Sequence, residues 1–308
     1  MSNPPILPRS PEVVRLGRLA LFAALYTYLL ILAGGIVRIT GSGLGCGNHW
    51  PKCNGVWIPQ FTVETLIEYM HRALAAGIGF VVLFVLIYAW KNRALPGFGG
   101  QGGLLRPVAL GAVMVVAQAL LGALTVKLDL PTDVTVVHFV TALVFASTLL
   151  VTAVRAGTFG GDEAAPGDRK IEAGKVWRVA LMTTLFGLTV IAMGAMTANT
   201  PGASVACQGF PLCNGSLTPP AGSMPSVHIH YTHRMLAYLL FFHVLAVGIL
   251  SRRRAISGAT KNAILAAQIA VVLQVLVAAA MVMMHLPAPW QVMHLATGAA
   301  VWFALVCW

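Results

Sequence analysis

The amino-acid sequence predicts an all-α integral membrane protein whose eight transmembrane helices form two tandem, pseudo-symmetric four-helix bundles. Hydrophobic residues make up 58% of the 308 residues and charged residues only 9%, against about 45–50% and about 25% in soluble proteins. The apolar residues come in long unbroken runs, which the alternating strands of a membrane β-barrel lack. The second half of the chain repeats the first. This composition excludes a cytosolic enzyme, a secreted disulfide scaffold and a disordered chain.

Eight segments are long enough to cross a bilayer, which takes about 20 mostly apolar residues. The first is too long and too interrupted by glycine for a cleaved signal peptide, so we interpret it as a retained span. The predicted spans are about 17–39, 67–90, 105–127, 133–154, 177–198, 229–250, 262–285 and 290–308.

Basic residues are concentrated in alternate loops. All but five of the 20 Lys and Arg residues lie in the N-terminal segment and in the second, fourth and sixth loops. The positive-inside rule therefore predicts that both termini are cytoplasmic and that the odd-numbered loops face outward. The net charge of +11 is assigned to these cytoplasmic loops, and no nucleic-acid partner is predicted.

A shift of about 160 residues aligns the two halves. The fourth loop, at 157–174, has the composition of a linker and separates an N-terminal half, 1–156, from a C-terminal half, 175–308. Since four spans return the chain to its starting side, the halves have the same orientation. The aligned segments are 51–55 with 211–215, 68–72 with 230–234, and Gln118, Leu130-Pro131 and His138 with Gln274, Leu286-Pro287 and His294.

Four histidines occupy repeat-matched positions: His71, His138, His233 and His294. Each half offers two of them, from alternate helices near the outer face. Facing histidines in a four-helix bundle can hold a haem or a metal, and a haem with two axial histidines in each half fits best. Zinc is disfavoured because each half is short of ligands. The alternative is hydrogen bonding between helices, which has no reason to recur in register.

Glu68 breaks the symmetry of the repeat. It stands three residues before His71, where the second half has His230. A carboxylate at a membrane boundary beside a haem ligand suggests proton handling, stabilisation of a developing charge, or a hydrogen bond to the histidine. The alternative is a surface glutamate paired with Arg72. We therefore expect the chemistry in the N-terminal half and a supporting haem site in the C-terminal half.

Two cysteine pairs lie in outer loops, Cys46 with Cys53 and Cys207 with Cys213. Outside the cytoplasm disulfides persist, so two short disulfide bonds are predicted. A bridge beside a redox site could instead be exchangeable. Cys307 is expected to be an inert buried thiol. The unmatched histidines His49, His228, His243 and His285 are interpreted as loop or packing residues.

Several segments together resemble the haem A synthase family, bacterial and mitochondrial proteins that convert haem O into haem A. They are Gly34-Gly35-Ile36-Val37-Arg38, Thr40-Gly41-Ser42-Gly43-Leu44-Gly45-Cys46, Trp50-Pro51-Lys52-Cys53-Asn54-Gly55 and Glu68-Tyr69-Met70-His71-Arg72. The resemblance covers all eight spans, the four matched histidines and both cysteine pairs.

The resemblance implies oxidation of the C8 methyl group of haem O to a formyl group through successive hydroxylations. It implies that His71 and His138 hold the substrate haem O and that His233 and His294 hold a haem b cofactor. Glu68 matches the essential glutamate of the family, and Cys46 and Cys53 match its first-loop pair. Whether the pair Cys207 and Cys213 is catalytic or only braces its loop stays open.

Further expectations follow from the resemblance. They are a location in the bacterial inner membrane and, as partners, a haem O synthase and terminal oxidase assembly factors. The electron donor is not identified by the sequence, and a homo-oligomer is left open. The alternative function is a quinol-linked di-haem b electron-transfer protein, which would not need Glu68 in one half only. A transporter is ranked last, because the polar groups cluster at one face.

Overall fold

The computed structural model describes residues 10–159, 169–251 and 258–308, with backbone alone for 169–176. Eight helices were predicted, and eight are found in the described residues. They are α1 Pro11–Ile39, α2 Val63–Lys91, α3 Leu105–Lys127, α4 Thr132–Arg155, α5 Arg169–Asn199, α6 Pro225–Ser251, α7 Gly258–Met283 and α8 Ala288–Val306. The predicted all-α class is confirmed.

The chain divides into two compact units of four helices, Met1–Ala164 (unit 1) and Ala165–Trp308 (unit 2). Residues 160–168 of the predicted linker, 157–174, lie outside the described residues, and α5 begins within the linker at Arg169. Each unit is described by itself below. We call the end of a unit that carries the loops after its first and third helices the loop end.

Seven of the helices in the described residues, α1 to α7, are long and apolar enough to cross a membrane. The chain is therefore a multi-pass membrane protein. The last helix, α8, has 19 residues and carries the polar side chains Gln291 and His294, which lower its mean hydropathy. Its predicted crossing of the membrane stays a prediction.

Several helices begin before the apolar run that predicted them, because capping residues extend their first turns. The Ser10 hydroxyl accepts a hydrogen bond from the N–H of Val13 at 3.3 Å at the start of α1. Thr62 does the same for the N–H of Thr65 at the start of α2. Such caps satisfy N–H groups that have no partner within the helix.

A matched turn joins the third and fourth helices of each unit. Leu130 and Leu286 adopt left-handed backbone conformations, with φ of 61° and 62°, and the following prolines cap α4 and α8. A left-handed leucine is uncommon, so its recurrence at both matched positions confirms the repeat in three dimensions. The turn at Leu286 also ends α7 at Met283, two residues before the predicted end.

In unit 1 the helices form a ring in which α1 and α3 each pack against α2 and α4. Its core of fully buried side chains lies away from the loop end, where α1 and α3 begin and α2 ends, and includes Leu16, Val85, Phe98, Leu104 and Val108. Apolar packing therefore closes one end of the bundle and leaves the loop end to the polar residues.

Unit 2 has the same arrangement, with α5 and α7 each packed against α6 and α8. Its buried core includes Val190, Leu240, Val244, Ala267 and Leu305. These residues lie farther from the loop end than the first turns of α6 and α8. His233 and His294, near the starts of those helices, therefore lie toward the loop end, as the histidines of unit 1 do.

A tight contact between α1 and the end of α4 gives a test of the packing in unit 1. A Cβ at the buried Gly17 would lie 2.8 Å from the Cβ of Ala156, whereas a Cβ at Gly79 on α2 would have nothing within 4 Å. We expect Gly17→Leu to lower the midpoint of thermal unfolding in detergent, because overpacking costs about 1–3 kcal/mol. Gly79→Leu is the matched control and should leave the midpoint unchanged; equal midpoints for the two variants would contradict the packing.

Candidate functional site

The first histidine of each pair lies against a glycine of the preceding helix. A Cβ at Gly34 of α1 would lie 3.1 Å from Cε1 of His71 on α2, and one at Gly194 of α5 would lie 2.8 Å from Cε1 of His233 on α6. Both distances are shorter than ordinary packing allows. Glycine at these two positions therefore lets each imidazole ring lie close to the neighbouring helix.

The second histidine of each pair contacts a glutamine of the preceding helix. With its amide oriented to satisfy its neighbours, Gln118 of α3 donates from Nε2 to Nδ1 of His138 at 3.1 Å. In unit 2, Nε2 of Gln274 on α7 lies 3.0 Å from Nδ1 of His294. The same contact therefore recurs at repeat-matched positions.

The structure brings the predicted histidines together in pairs within each unit. His71 and His138 are close enough to interact electrostatically, and so are His233 and His294. Among the described residues, no group of three or more His, Cys, Asp or Glu side chains gathers to hold a metal ion. Each unit thus offers two imidazoles from alternate helices, the donor set of a haem iron with two axial histidines.

The two units differ in what holds the first histidine. Nδ1 of His233 lies 3.2 Å from the carbonyl oxygen of Val190 on α5, which fixes the ring. Nδ1 of His71 is buried and has no hydrogen-bond partner among the described residues. A buried polar atom without a hydrogen-bond partner is costly, and a nitrogen of this kind on an imidazole indicates a ring that binds a ligand. The residues at this position fit a haem.

Glu68 is only 3% exposed and is surrounded by N–H donors. Its carboxylate accepts a hydrogen bond from the backbone N–H of Cys46 at 2.7 Å and one from Nε of Arg72 at 3.0 Å. The ion pair that we considered as the alternative does form, with the Glu68 carboxylate buried and the Arg72 side chain partly exposed. A buried charge needs such partners to be stable.

Arg72 ties the first disulfide loop to the helix that carries His71. Besides its ion pair with Glu68, it donates to the carbonyl oxygens of His49 at 2.7 Å and Lys52 at 2.9 Å. In unit 2, Arg234 donates to the carbonyls of Cys207 at 2.7 Å and Gly209 at 2.8 Å. Sequence reasoning missed this role, although a His-Arg pair at matched positions was the available signal.

His230 takes the place of Glu68 in unit 2 and uses both ring nitrogens. Arg234 donates from Nε to Nε2 of His230 at 3.2 Å, and Nδ1 lies 2.8 Å from the carbonyl oxygen of Ala203 and 3.3 Å from the backbone nitrogen of Cys207. The ring is therefore neutral and anchors its loop. The buried negative charge of unit 1 has no counterpart at this position.

Both cysteine pairs form disulfide bonds, with Cα–Cα distances of 4.4 Å for Cys46–Cys53 and 4.6 Å for Cys207–Cys213. Each is followed by an Asn-Gly turn in which Asn54 and Asn214 adopt left-handed conformations, with φ of 51° and 54°. Such turns suit Asn-Gly sequences, and they fold each loop back on itself.

Two further residues can be placed. Cys307 was expected to be buried, and this is wrong, because α8 ends at Val306 and leaves Cys307 exposed, with a free thiol. His243 accepts or donates a hydrogen bond with the hydroxyl of Thr183 at 2.8 Å, which agrees with a packing role.

Comparison with known proteins identifies the family. A sequence model of the cytochrome oxidase assembly proteins, COX15-CtaA, matches residues 17–306. The chain belongs to this family. Among the relatives in the family, the heme A synthase of Alkalihalophilus pseudofirmus is 33% identical over 231 residues, 73% of each chain. The heme A synthases of Bacillus cereus and Bacillus anthracis are each 32% identical over 237 residues, 76% of this chain and 73% of theirs.

The disulfide bonds predict a definite alkylation pattern for the five cysteines. In the denatured but unreduced protein only Cys307 should react, because the other four sulfurs are bonded. Reduction before alkylation should raise the mass by five adducts in place of one. More than one adduct without reduction, in protein purified from the membrane, would contradict the two bridges.

Proposed function

We propose that this protein is a membrane enzyme of haem biosynthesis that converts haem O into haem A. The reaction is an oxidation of the C8 methyl group of haem O to a formyl group by successive hydroxylations. The observation that carries the proposal is the buried carboxylate of Glu68, one helical turn from His71 of a histidine pair, in unit 1 only. The relatives named heme A synthase support the same reaction.

We assign the substrate haem O to His71 and His138 in unit 1, and a haem b cofactor to His233 and His294 in unit 2. The carbonyl of Val190 fixes the ring of His233, which suits a cofactor that stays bound. His71 lacks such an anchor, which suits a haem that must enter and leave. Haem b, when bound, supplies one-electron redox chemistry.

Glu68 is the residue of unit 1 that can act on the reacting methyl group. Its carboxylate accepts three hydrogen bonds, one from Cys46 and two from the guanidinium of Arg72. An anion at this position stabilises positive charge that develops at the methyl carbon, and its oxygens can accept the proton that leaves. Because Arg72 also holds the first loop, the carboxylate and the loop are positioned by the same side chain.

The location and partners follow from this assignment. We place the protein in the bacterial inner membrane with both termini in the cytoplasm and the loop ends outside, where the disulfide bonds persist. A haem O synthase would supply the substrate, and terminal oxidase assembly factors would receive the product.

Haem extraction tests the function directly. The full-length protein should be expressed in a host that makes haem O and has no enzyme of this kind, and its haems separated by liquid chromatography. We expect haem A in addition to haem O and haem b, because only methyl oxidation yields the aldehyde. Haem O and haem b alone, with reversible redox spectra, would instead support a di-haem electron-transfer protein.

Glu68→Gln removes the charge and keeps the shape; its single amide oxygen can accept from Arg72 or from Cys46, which bond to different oxygens of the carboxylate. We expect haem A production to fall by about 10²-fold or more, the usual contribution of a positioned acid or base, with haem O or a hydroxylated intermediate accumulating. Haem b should stay, because its ligands lie in unit 2.

The matched control is His230→Gln, at the same position of the repeat. It should leave the rate of haem A formation near that of the wild type, because His230 anchors a loop and carries no charge. Haem A formation at the wild-type rate in Glu68→Gln would reduce Glu68 to an ion-pair partner of Arg72.

A further inference from the structure

Two polar side chains in the membrane helices are not used by the function described so far. Gln118 and Gln274 stand at repeat-matched positions of α3 and α7, among apolar residues. A glutamine in a membrane span is costly unless it is bonded, and it usually serves a function. Each of these amides contacts a histidine of the following helix, His138 or His294.

Each glutamine also has a second partner one turn after the histidine. Thr141 contacts the amide of Gln118, and Thr297 contacts the amide of Gln274. Gly298 lies next to this amide. A Cβ at that position would be 3.2 Å from Nε2 of Gln274. A Thr–Gln–His chain is thus built in both units.

The polarity of this chain can reverse in unit 2. An amide has a donor on one side and an acceptor on the other, and a half-turn exchanges them. In unit 2 the threonine hydroxyl can follow either orientation, because Thr297 can donate instead to the carbonyl of Met293 at 2.9 Å. The Thr297 oxygen is then left to accept the amide N–H of Gln274. In unit 1 one orientation is held, because Gln118 also donates to the carbonyl of His138 and accepts from the N–H of Ala142.

A histidine that binds iron through one nitrogen keeps its proton on the other, and the partner of that second nitrogen tunes the metal. In both units the nearer nitrogen to the glutamine is Nδ1. We propose that Gln274 is a positioning residue that accepts the Nδ1 proton of His294, so that the other ring nitrogen would bind the haem iron. This proposal rests on the haem assignment of the proposed function.

The proposal predicts shifts of opposite sign in the midpoint reduction potential of haem b. Gln274→Glu offers a stronger acceptor, which makes the imidazole a better electron donor and should lower the potential. Gln274→Leu removes the acceptor and should raise it. Thr297→Val, which removes the second partner of the glutamine, should raise it by a smaller amount. The measurement is a redox titration of the purified full-length protein, followed by the haem absorption band.

The matched control is Gln268→Leu, which removes an amide from the same helix. Gln268 donates to the carbonyl of Leu245 at 3.3 Å on α6, so its loss should leave the potential unchanged. If Gln274→Leu does not fold, the test is whether the reduction potential falls in Gln274→Glu and rises in Thr297→Val.

The proposal is overturned if Gln274→Glu shifts the potential in the same direction as Gln274→Leu and Thr297→Val, or if none of the three differs from Gln268→Leu. Those results would limit Gln274 to a hydrogen bond between α7 and α8. Wild-type protein that binds no haem b would instead overturn the cofactor assignment of the proposed function, which distinguishes the two failures.

Discussion

The cost of a polar group inside an apolar bundle governs the arrangement of this protein. Such a group is stable only where it finds a partner, and in both units the matched arginine and the pair of histidines lie toward the loop end. Arg72 there meets Glu68 and the carbonyls of a disulfide loop, while the opposite end of unit 1 is closed by side chains such as Leu16 and Phe98. The loops are therefore held by the same bonds that make the buried charges tolerable.

Much of the fold could be predicted because bilayer thickness fixes the length of an apolar run. The bounds of α3 agree with the prediction at both ends, and α4 differs by one residue at each. The starts of α1 and α5 were less accurate, since their first turns are polar and a hydropathy pattern cannot register them. Cys307 was placed wrongly for a related reason, because composition does not reveal the residue at which the last helix ends.

The candidate site was predicted only as far as side chains repeat. His71, His138, His233 and His294 were found by register, and Glu68 by its failure to match. What could not be found were bonds to backbone carbonyls, such as Val190 with His233 and Lys52 with Arg72, because any residue supplies a carbonyl and the sequence carries no mark of it. Gln118 and Gln274 were visible as a repeat match, yet their role needed the distance to the rings.

Duplication gives two bundles with the same scaffold, and their charges then distinguish them. In unit 1 the cation of Arg72 is neutralised by Glu68. In unit 2 the cation of Arg234 meets a neutral imidazole and carbonyl oxygens. A net positive charge opposes further positive charge nearby, by an amount that grows as the surroundings become less polar. Under the proposed function, oxidation of a methyl group, which draws electrons from carbon, would therefore be opposed less in unit 1, and a haem held in unit 2 would be favoured in its reduced state. The difference between Glu68 and His230 at this position would then distinguish the proposed reacting site from the proposed cofactor site on the same four-helix scaffold.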